Sequence, residues 1–556
     1  MLKTKQIWAA VAAFCMIFTL IPIAAFAENA YSGSCGKDLS WEYDDEKRTL
    51  TISGTGNMPN YYSKSTEGSL APWVNSKIKE EIETVVISDG AANIGEYAFF
   101  ECTGLKSVTI PGSVITINKG AFYNCNALSD IAFPSGVASI GDEAFQYCDS
   151  LKSVTIPGNV KNIGEGAFYS CGELTKVVIE SGTESIGKFA FNYCKKLNDV
   201  TISDSVVSIG DNAFQFTGFY NDDSKWDVLY IGNHLIKADD WALNKDKISD
   251  CVIKSGTKTI ADSAFNGCGG LKSITIPDSM VSIGSHAFEG CSGLTGMVIP
   301  KNVTNIGDYA FYSCTKMESI DVNADNAAYC SENGILYNKE KTEIIRFSIK
   351  KQNTVFNIPD GVTVIADGAF SGCENLTSVT IPNGAKIVGN YAFDGCSGIA
   401  EITVPSGVTG IGSKAFYSCS SLTSAAIPGS VMNIGDYAFY NCRKLKEVCY
   451  TGDKDDWKAI DKGENYSIDD SIIKYCKSIS AERDDNGNIV VKPKNIENGE
   501  IVVIALYNGN SVVEVMLSPY DGTKFTFVTS KAYTRAKAMV WSNLDSIKPV
   551  CNAKNI

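Results

Sequence analysis

The pair Ala-Phe returns through most of this 556-residue chain at a fixed interval. It stands at 98-99, 121-122, 144-145, 167-168, 190-191 and 213-214, again at 264-265, 287-288 and 310-311, and again at 369-370, 392-393, 415-416 and 438-439. Inside each block the spacing is 23 residues. One unit reads C-x-x-L-x-x-V-x-I-P-x-x-V-x-x-I-G-x-x-A-F-x-x, as in "CNALSDIAFPSGVASIGDEAFQY" at 125-147. The part L-x-x-V-x-I-P alternates apolar and polar residues and closes on a proline, so it reads as a short strand. V-x-x-I-G follows, with a glycine that permits a turn, and Ala-Phe then gives a small and a large residue to one tight coil. A unit this short cannot bury its own apolar face. Stacked units can, because each covers the next. The pattern predicts a repeat solenoid with a parallel β-sheet, and 556 residues are too many for one globular core.

A period in the low twenties with a leucine-bearing strand is that of a leucine-rich-repeat horseshoe, with its sheet on the concave face. The whole consensus resembles the BspA-like (treponemal-type) leucine-rich repeat, over about 94 to 450. The irregular stretches "VLYIGNHLIKA" at 228-238 and "NAAYCSENGILYNKEKTEIIRF" at 326-347 resemble variants of that unit. "YTGDKDDWKAI" at 450-460 resembles its closing unit, and 32-58 followed by "APW" resembles openings of its secreted bacterial members. The resemblance implies a bacterial binding protein without catalytic activity. Its partners would be host extracellular-matrix or mucosal proteins, or proteins on other bacteria.

Twelve of the 19 cysteines occupy one repeat position: Cys102, Cys125, Cys148, Cys171, Cys194, Cys268, Cys291, Cys314, Cys373, Cys396, Cys419 and Cys442. Equivalent atoms in stacked coils lie roughly 5 Å apart, within reach of a disulfide. Equivalent side chains run parallel, however, and bridging requires them to turn toward each other. Zinc needs four ligands in a tetrahedron, which one thiol per coil does not supply. Thr217 replaces the cysteine at the end of a block. We read the ladder as structural: small buried groups that also bond to backbone. In an exported protein, so many free thiols suggest an oxygen-poor habitat.

No constellation for chemistry stands out, so no cofactor, metal or catalytic residue is expected. The only histidines are His234, at a turn, and His286, at a variable repeat position. The carboxylates are spread through loops, and a glycosidase needs a defined pair. "DVNADN" at 321-326 lacks the glycine and helix of a calcium loop. A formal net charge of −14 disfavours nucleic acid and anionic membranes as partners. Residues 1-27, with Lys3 and Lys5, an apolar run and "AFA" before Glu28, read as a secretory signal peptide that contains Cys15. After its removal no stretch is long enough to span a membrane. The mature chain is expected outside the cell, released or held non-covalently at the surface.

The outward strand positions form the candidate concave binding face: Ser107, Thr109, Asp130, Ser153, Thr155, Lys176, Asp199, Thr201, Ser273, Thr275, Ser378, Thr380, Glu401 and Thr403. It reads as flat and hydroxyl-rich, with no aromatic cluster. The irregular units near 217-250 and 321-350 carry Phe219, Tyr220, Trp226, Trp241, Tyr329 and Tyr337 as alternative contact residues. Residues 28-93 read as an N-terminal cap and 94-477 as the solenoid. Residues 478-556, with short turn-bounded strands, read as a small all-β sandwich. A glycan-binding role for that last domain is the second functional reading.

Overall fold

The computed structural model describes residues 31-556 apart from 65-67, 221-227, 239-248, 349-353, 484-488, 496-500, 509-510, 520-524, 528-534, 542-553 and 556. Residues 1-27, expected to be a signal peptide, and the tryptophans at 226 and 241 lie outside the described residues. The chain forms two compact units that divide between residues 239 and 265.

In the first unit most coils supply two strands, one to each of two parallel sheets. The short V-x-x-I segments make an unbroken six-stranded sheet from Asn93–Ile94 through Thr116–Ile117, Ser139–Ile140, Asn162–Ile163 and Ser185–Ile186 to Ser208–Ile209. Equivalent residues pair: Ile163 faces Ile140 on one side and Ile186 on the other. The longer segments pair in the same register, Val177 with Val154 and Val200. Val154 and Ile156 are buried while Ser153 and Thr155 are exposed, as period two requires.

The long-strand sheet is interrupted once in this unit. Residues 129-134 form no strand, so Asp130 does not lie on one as expected. Phe133 stands where other coils have isoleucine, and its ring meets Phe145 edge-on at 5.6 Å. That larger ring keeps the segment off its neighbours. Its flanking backbone bonds, Ser129 N–H to Lys106 O and Lys152 N–H to Ser129 O, stretch to 3.4 Å.

The phenylalanines of Ala-Phe form a buried column. Phe99, Phe122, Phe145, Phe168, Phe191 and Phe214 stack with centroids 5.1 to 5.4 Å apart. Trp73 ends the column: it is fully buried, stacks on Phe99 at 5.2 Å and donates its indole N–H to Ala98 O at 2.7 Å. The solenoid end that needs covering is thus covered by a ring of the same column. Upstream, the hairpins of Tyr31–Ser34, Leu39–Asp44 and Thr49–Gly54 join the long-strand sheet, because Thr49–Gly54 pairs in parallel with Thr84–Ile87. Thr84–Ile87 already pairs with Ser107–Thr109 at the 23-residue register.

The second unit repeats this plan. Phe265, Phe288 and Phe311 stack, and Phe347, Phe370, Phe393, Phe416 and Phe439 stack. An eight-stranded sheet runs from Tyr329–Glu332 to Asp461–Lys462. The helix Lys454–Ala459 lies just before its last strand, with Asp453 and Asp456 forming a capping box. Trp457 is buried there against Tyr450. Cys449 and Cys476 are joined in a disulfide. From Ser478 onward the described strands make two antiparallel sheets, one of three strands and one of four.

Two backbone features differ from the sequence reading. The I-G glycine is needed for close approach, not for a special φ. A Cβ on Gly187 would lie 2.6 Å from the carbonyl carbon of Gly164, and one on Gly412 would lie 2.5 Å from the amide nitrogen of Asn390. The left-handed residues sit elsewhere, directly before Ala and directly before Cys. They include Glu143 (φ 56°), Tyr147 (φ 62°), Phe189 (φ 55°) and Tyr193 (φ 61°).

Candidate functional site

The ladder cysteines are held by the turn that brings each coil back beneath the previous one. Each thiol after the first of a block donates to the phenylalanine carbonyl of the coil before. Cys125 reaches Phe99 O at 3.2 Å, Cys148 reaches Phe122 O at 3.3 Å, and Cys171 and Cys194 follow at 3.3 and 3.2 Å. Cys291, Cys314, Cys396, Cys419 and Cys442 repeat the bond at 3.1 to 3.2 Å. Cys102, Cys268 and Cys373 open their blocks, and all three are buried. Burial pushes Cys102 up to about 12 and Cys314 up to about 11, and Cys125, Cys148 and Cys396 upward as well. Such thiols are poor nucleophiles at neutral pH. Thr217 fills the same position, but its shorter hydroxyl bonds to Phe214 O of its own coil at 2.8 Å.

Cys373 shifts the other way. Burial opposes its ionisation, but the bond from Cys396 and the charge of Arg346 bring it below the usual thiol range. Arg346 is fully buried and, among the described residues, meets no carboxylate; its guanidinium donates to Gly368 O at 2.8 Å, Ser371 O at 3.0 Å and Cys314 O at 3.4 Å. It fills the gap in the turn column where the irregular unit brings no Ala-Phe-x-x-Cys.

All fourteen residues of the expected binding face are exposed. Lys176 and Asp199, registered neighbours, form an ion pair of 2.7 Å. Ser273 bonds to Asp250 at 2.5 Å. The face is not uniformly hydroxylic. Val252 is 76% exposed, Val298 56% and Val355 60%. In the second unit Ser273–Thr275 and Gly296–Ile299 lie in different sheets. A cleft of ≈ 310 Å³ occurs there, lined by Thr275, Gly296, Met297, Val298, Ser319 and Asp321 among others.

The irregular units pack their described aromatic residues inward or locally. Tyr337 is 2% exposed, Tyr329 accepts the Ile306 amide at 2.9 Å, and Phe219 meets Phe214 at 6.1 Å. Tyr220 lies under the Lys237 ammonium at 5.7 Å. Asn326 of "DVNADN" is buried and donates to Pro300 O and Val303 O, so that segment plugs the coil. His234 lies on the strand His234–Ala238, not in a turn, and bonds to Thr259 Oγ1 at 2.9 Å and Ser203 O at 3.2 Å. His286 stacks on Tyr309 at 5.0 Å and meets Glu289 at 2.5 Å.

One arrangement went unread in the sequence. Between Phe and Cys each coil of the first unit carries one further aromatic ring: Phe100, Tyr123, Tyr147, Tyr169, Tyr193 and Phe216. Neighbouring rings touch in series, at 5.2, 5.5, 5.8, 5.6 and 4.5 Å between centroids. Tyr193 and Phe216 are each 37% exposed and the others half-buried. The position shifts by one residue between coils, so an aligned consensus column smears it. Among the described residues, no cluster of three His, Cys, Asp or Glu side chains could hold a metal ion, and no helix is long and apolar enough to cross a membrane.

Stacked coils of 23 residues with in-register parallel strands define a leucine-rich-repeat solenoid. The chain belongs to the BspA type leucine rich repeat region family (6 copies), whose model matches residues 77-181, 161-238, 237-354 and 342-458. Among solved structures it is similar to a leucine rich cell surface protein from Faecalibacterium prausnitzii A2-165, at 25% identity over 77% of this chain and 97% of that one, with a TM-score of 0.34. It is also similar to a leucine-rich repeat protein from Eubacterium ventriosum, at 23% identity over 76% and 85% of the two chains, with a TM-score of 0.31. The pneumococcal vaccine antigen PcpA is similar at 15% identity over 80% and 96%, with a TM-score of 0.27. No curated protein matches the chain.

Proposed function

We propose that this chain is a secreted or cell-surface adhesin without catalytic activity, binding host matrix or mucosal proteins, or another bacterium's surface protein, through the long-strand face. The observation that carries the reading is the cleft in that face, where exposed Val298 adjoins Thr275. A break in a flat sheet supplies the concavity and apolar area on which an interface is centred. The leader-like residues 1-27 support export. Residues 478-556 are proposed as a separate domain. A glycan-capturing role for it is the second reading, favoured by Val515 and Leu517, which are 52% and 49% exposed and two residues apart on one strand.

The test is saturable binding of the chain to immobilised matrix and mucosal proteins under reducing conditions, with and without Thr275→Lys and Val298→Lys together. The expected result is at least a tenfold loss of affinity, about 1.4 kcal/mol. Binding unchanged by both lysines would remove the face from consideration. Binding only to glycans would move the function elsewhere in the molecule.

A further inference from the structure

We propose that the six-ring aromatic ladder of the first unit is a second binding surface, and that it takes an extended neutral polysaccharide. This surface is distinct from the long-strand face. Three observations carry the proposal. The first is continuity. Phe100, Tyr123, Tyr147, Tyr169, Tyr193 and Phe216 form one uninterrupted file of partly exposed rings, one per coil. The second is backbone conformation. Tyr147, Tyr193 and Phe216 hold φ of 62°, 61° and 60°, a region that bulky residues avoid. Coils of the second unit put Gly267, Gly290, Gly372 and Gly395 at that position. Stacking therefore has no need of an aromatic ring there, and strained residues of this kind concentrate at working surfaces. The third is free polar capacity. Among the described residues the hydroxyls of Tyr123, Tyr147, Tyr169 and Tyr193 take no protein hydrogen-bond partner.

Period and charge select the ligand. The ladder repeats at the strand spacing of about 5 Å, whereas an extended peptide advances about 3.3 Å per residue. A β-linked pyranose chain advances by nearly one coil per sugar, so successive sugars meet successive rings. The C–H faces of neutral sugars suit aromatic surface, and their hydroxyls suit phenols. The carboxylates beside the file are paired, Glu101 with Lys79 at 2.7 Å and Glu143 with Lys119 at 3.5 Å. Among the described residues, no basic stripe is left over to hold a polyanion.

The experiment is affinity electrophoresis and calorimetry of the full chain with soluble β-1,4-xylan and mixed-linkage β-glucan, with polygalacturonate as the anionic comparison. The variant is Tyr147→Gly, Tyr193→Gly and Phe216→Gly combined. Glycine is the residue that four coils of the second unit carry there, so folding is kept, and circular dichroism verifies it. We expect saturable binding to a neutral glycan, at least tenfold weaker in the triple variant, and unchanged by Thr275→Lys with Val298→Lys. No neutral-glycan binding, or binding unaffected by the glycines, would overturn the proposal. So would preference for polygalacturonate, or a concentration-dependent dimer in sedimentation that the glycines abolish, since a second copy would then be the occupant.

Discussion

The coils at 94-217 and those at 264-314 bury the same side chains and expose different ones. Both bury Ala, Phe, Cys and Leu at matching positions. Between Phe and Cys, however, the first set reads Tyr-Asn, Gln-Tyr, Tyr-Ser and Asn-Tyr, whereas the second begins Asn-Gly and Glu-Gly. What stacking requires is the shared part. What differs is available for recognition, because glycine meets the backbone demand at lower strain.

The sharpest way to break this equivalence is to empty the buried column. Phe145→Ala and Phe393→Ala should each cost about 3–5 kcal/mol in urea denaturation, since both rings are fully buried between two others. Costs differing by more than about 2 kcal/mol between the two would show that the units do not share one packing scheme.

The exposed position should behave in the opposite sense. Gly290 holds φ of 70°, and a Cβ there would meet its nearest atom at 3.5 Å, so space is adequate and only the backbone resists. Gly290→Tyr should cost about 1–2 kcal/mol. Tyr147→Gly should cost less than about 1 kcal/mol, because relief of strain offsets the lost ring contact. A large loss at Tyr147 would make the ladder a stability element instead of a surface.

The smallest expected effect is the dependence on pH that His234 gives the first irregular unit. Burial holds the His234 pKa below its ordinary value of 6.5. Below about 6.5 the unfolded chain therefore takes up a proton that the folded chain refuses, and stability falls as pH falls. It stops falling once folded His234 titrates too, and above about 6.5 it is insensitive to this group. The slope is at most about 1.4 kcal/mol per pH unit, and His234→Gln should flatten it in urea midpoints measured from about pH 7.5 to 5.

Much of the fold was legible because stacking repeats its demands. Ala-Phe, the cysteine and the alternating strand recur at fixed offsets, and the structure places them in column. Trp73 was hidden because it serves the phenylalanine column from outside the repeat. The strand at 130-132 was misread because one substitution, Phe133, outweighs local alternation. The role of the I-G glycine was misassigned because turn and close approach select the same residue. The aromatic file escaped because its members alternate between two neighbouring positions, while the exposed face was legible in position but not in its cleft, which depends on which adjacent strands fail to pair.

Inside each regular block, the pairing of residue i with residue i+23 has a genetic corollary. Loss or gain of one whole coil leaves every remaining interface matched, whereas loss of a few residues misaligns two sheets and a ring column together. Length in such a protein is quantised. A lineage can lengthen its aromatic file one rung at a time by unequal recombination, and so adjust the size of what it grips while leaving the grip of each rung unaltered.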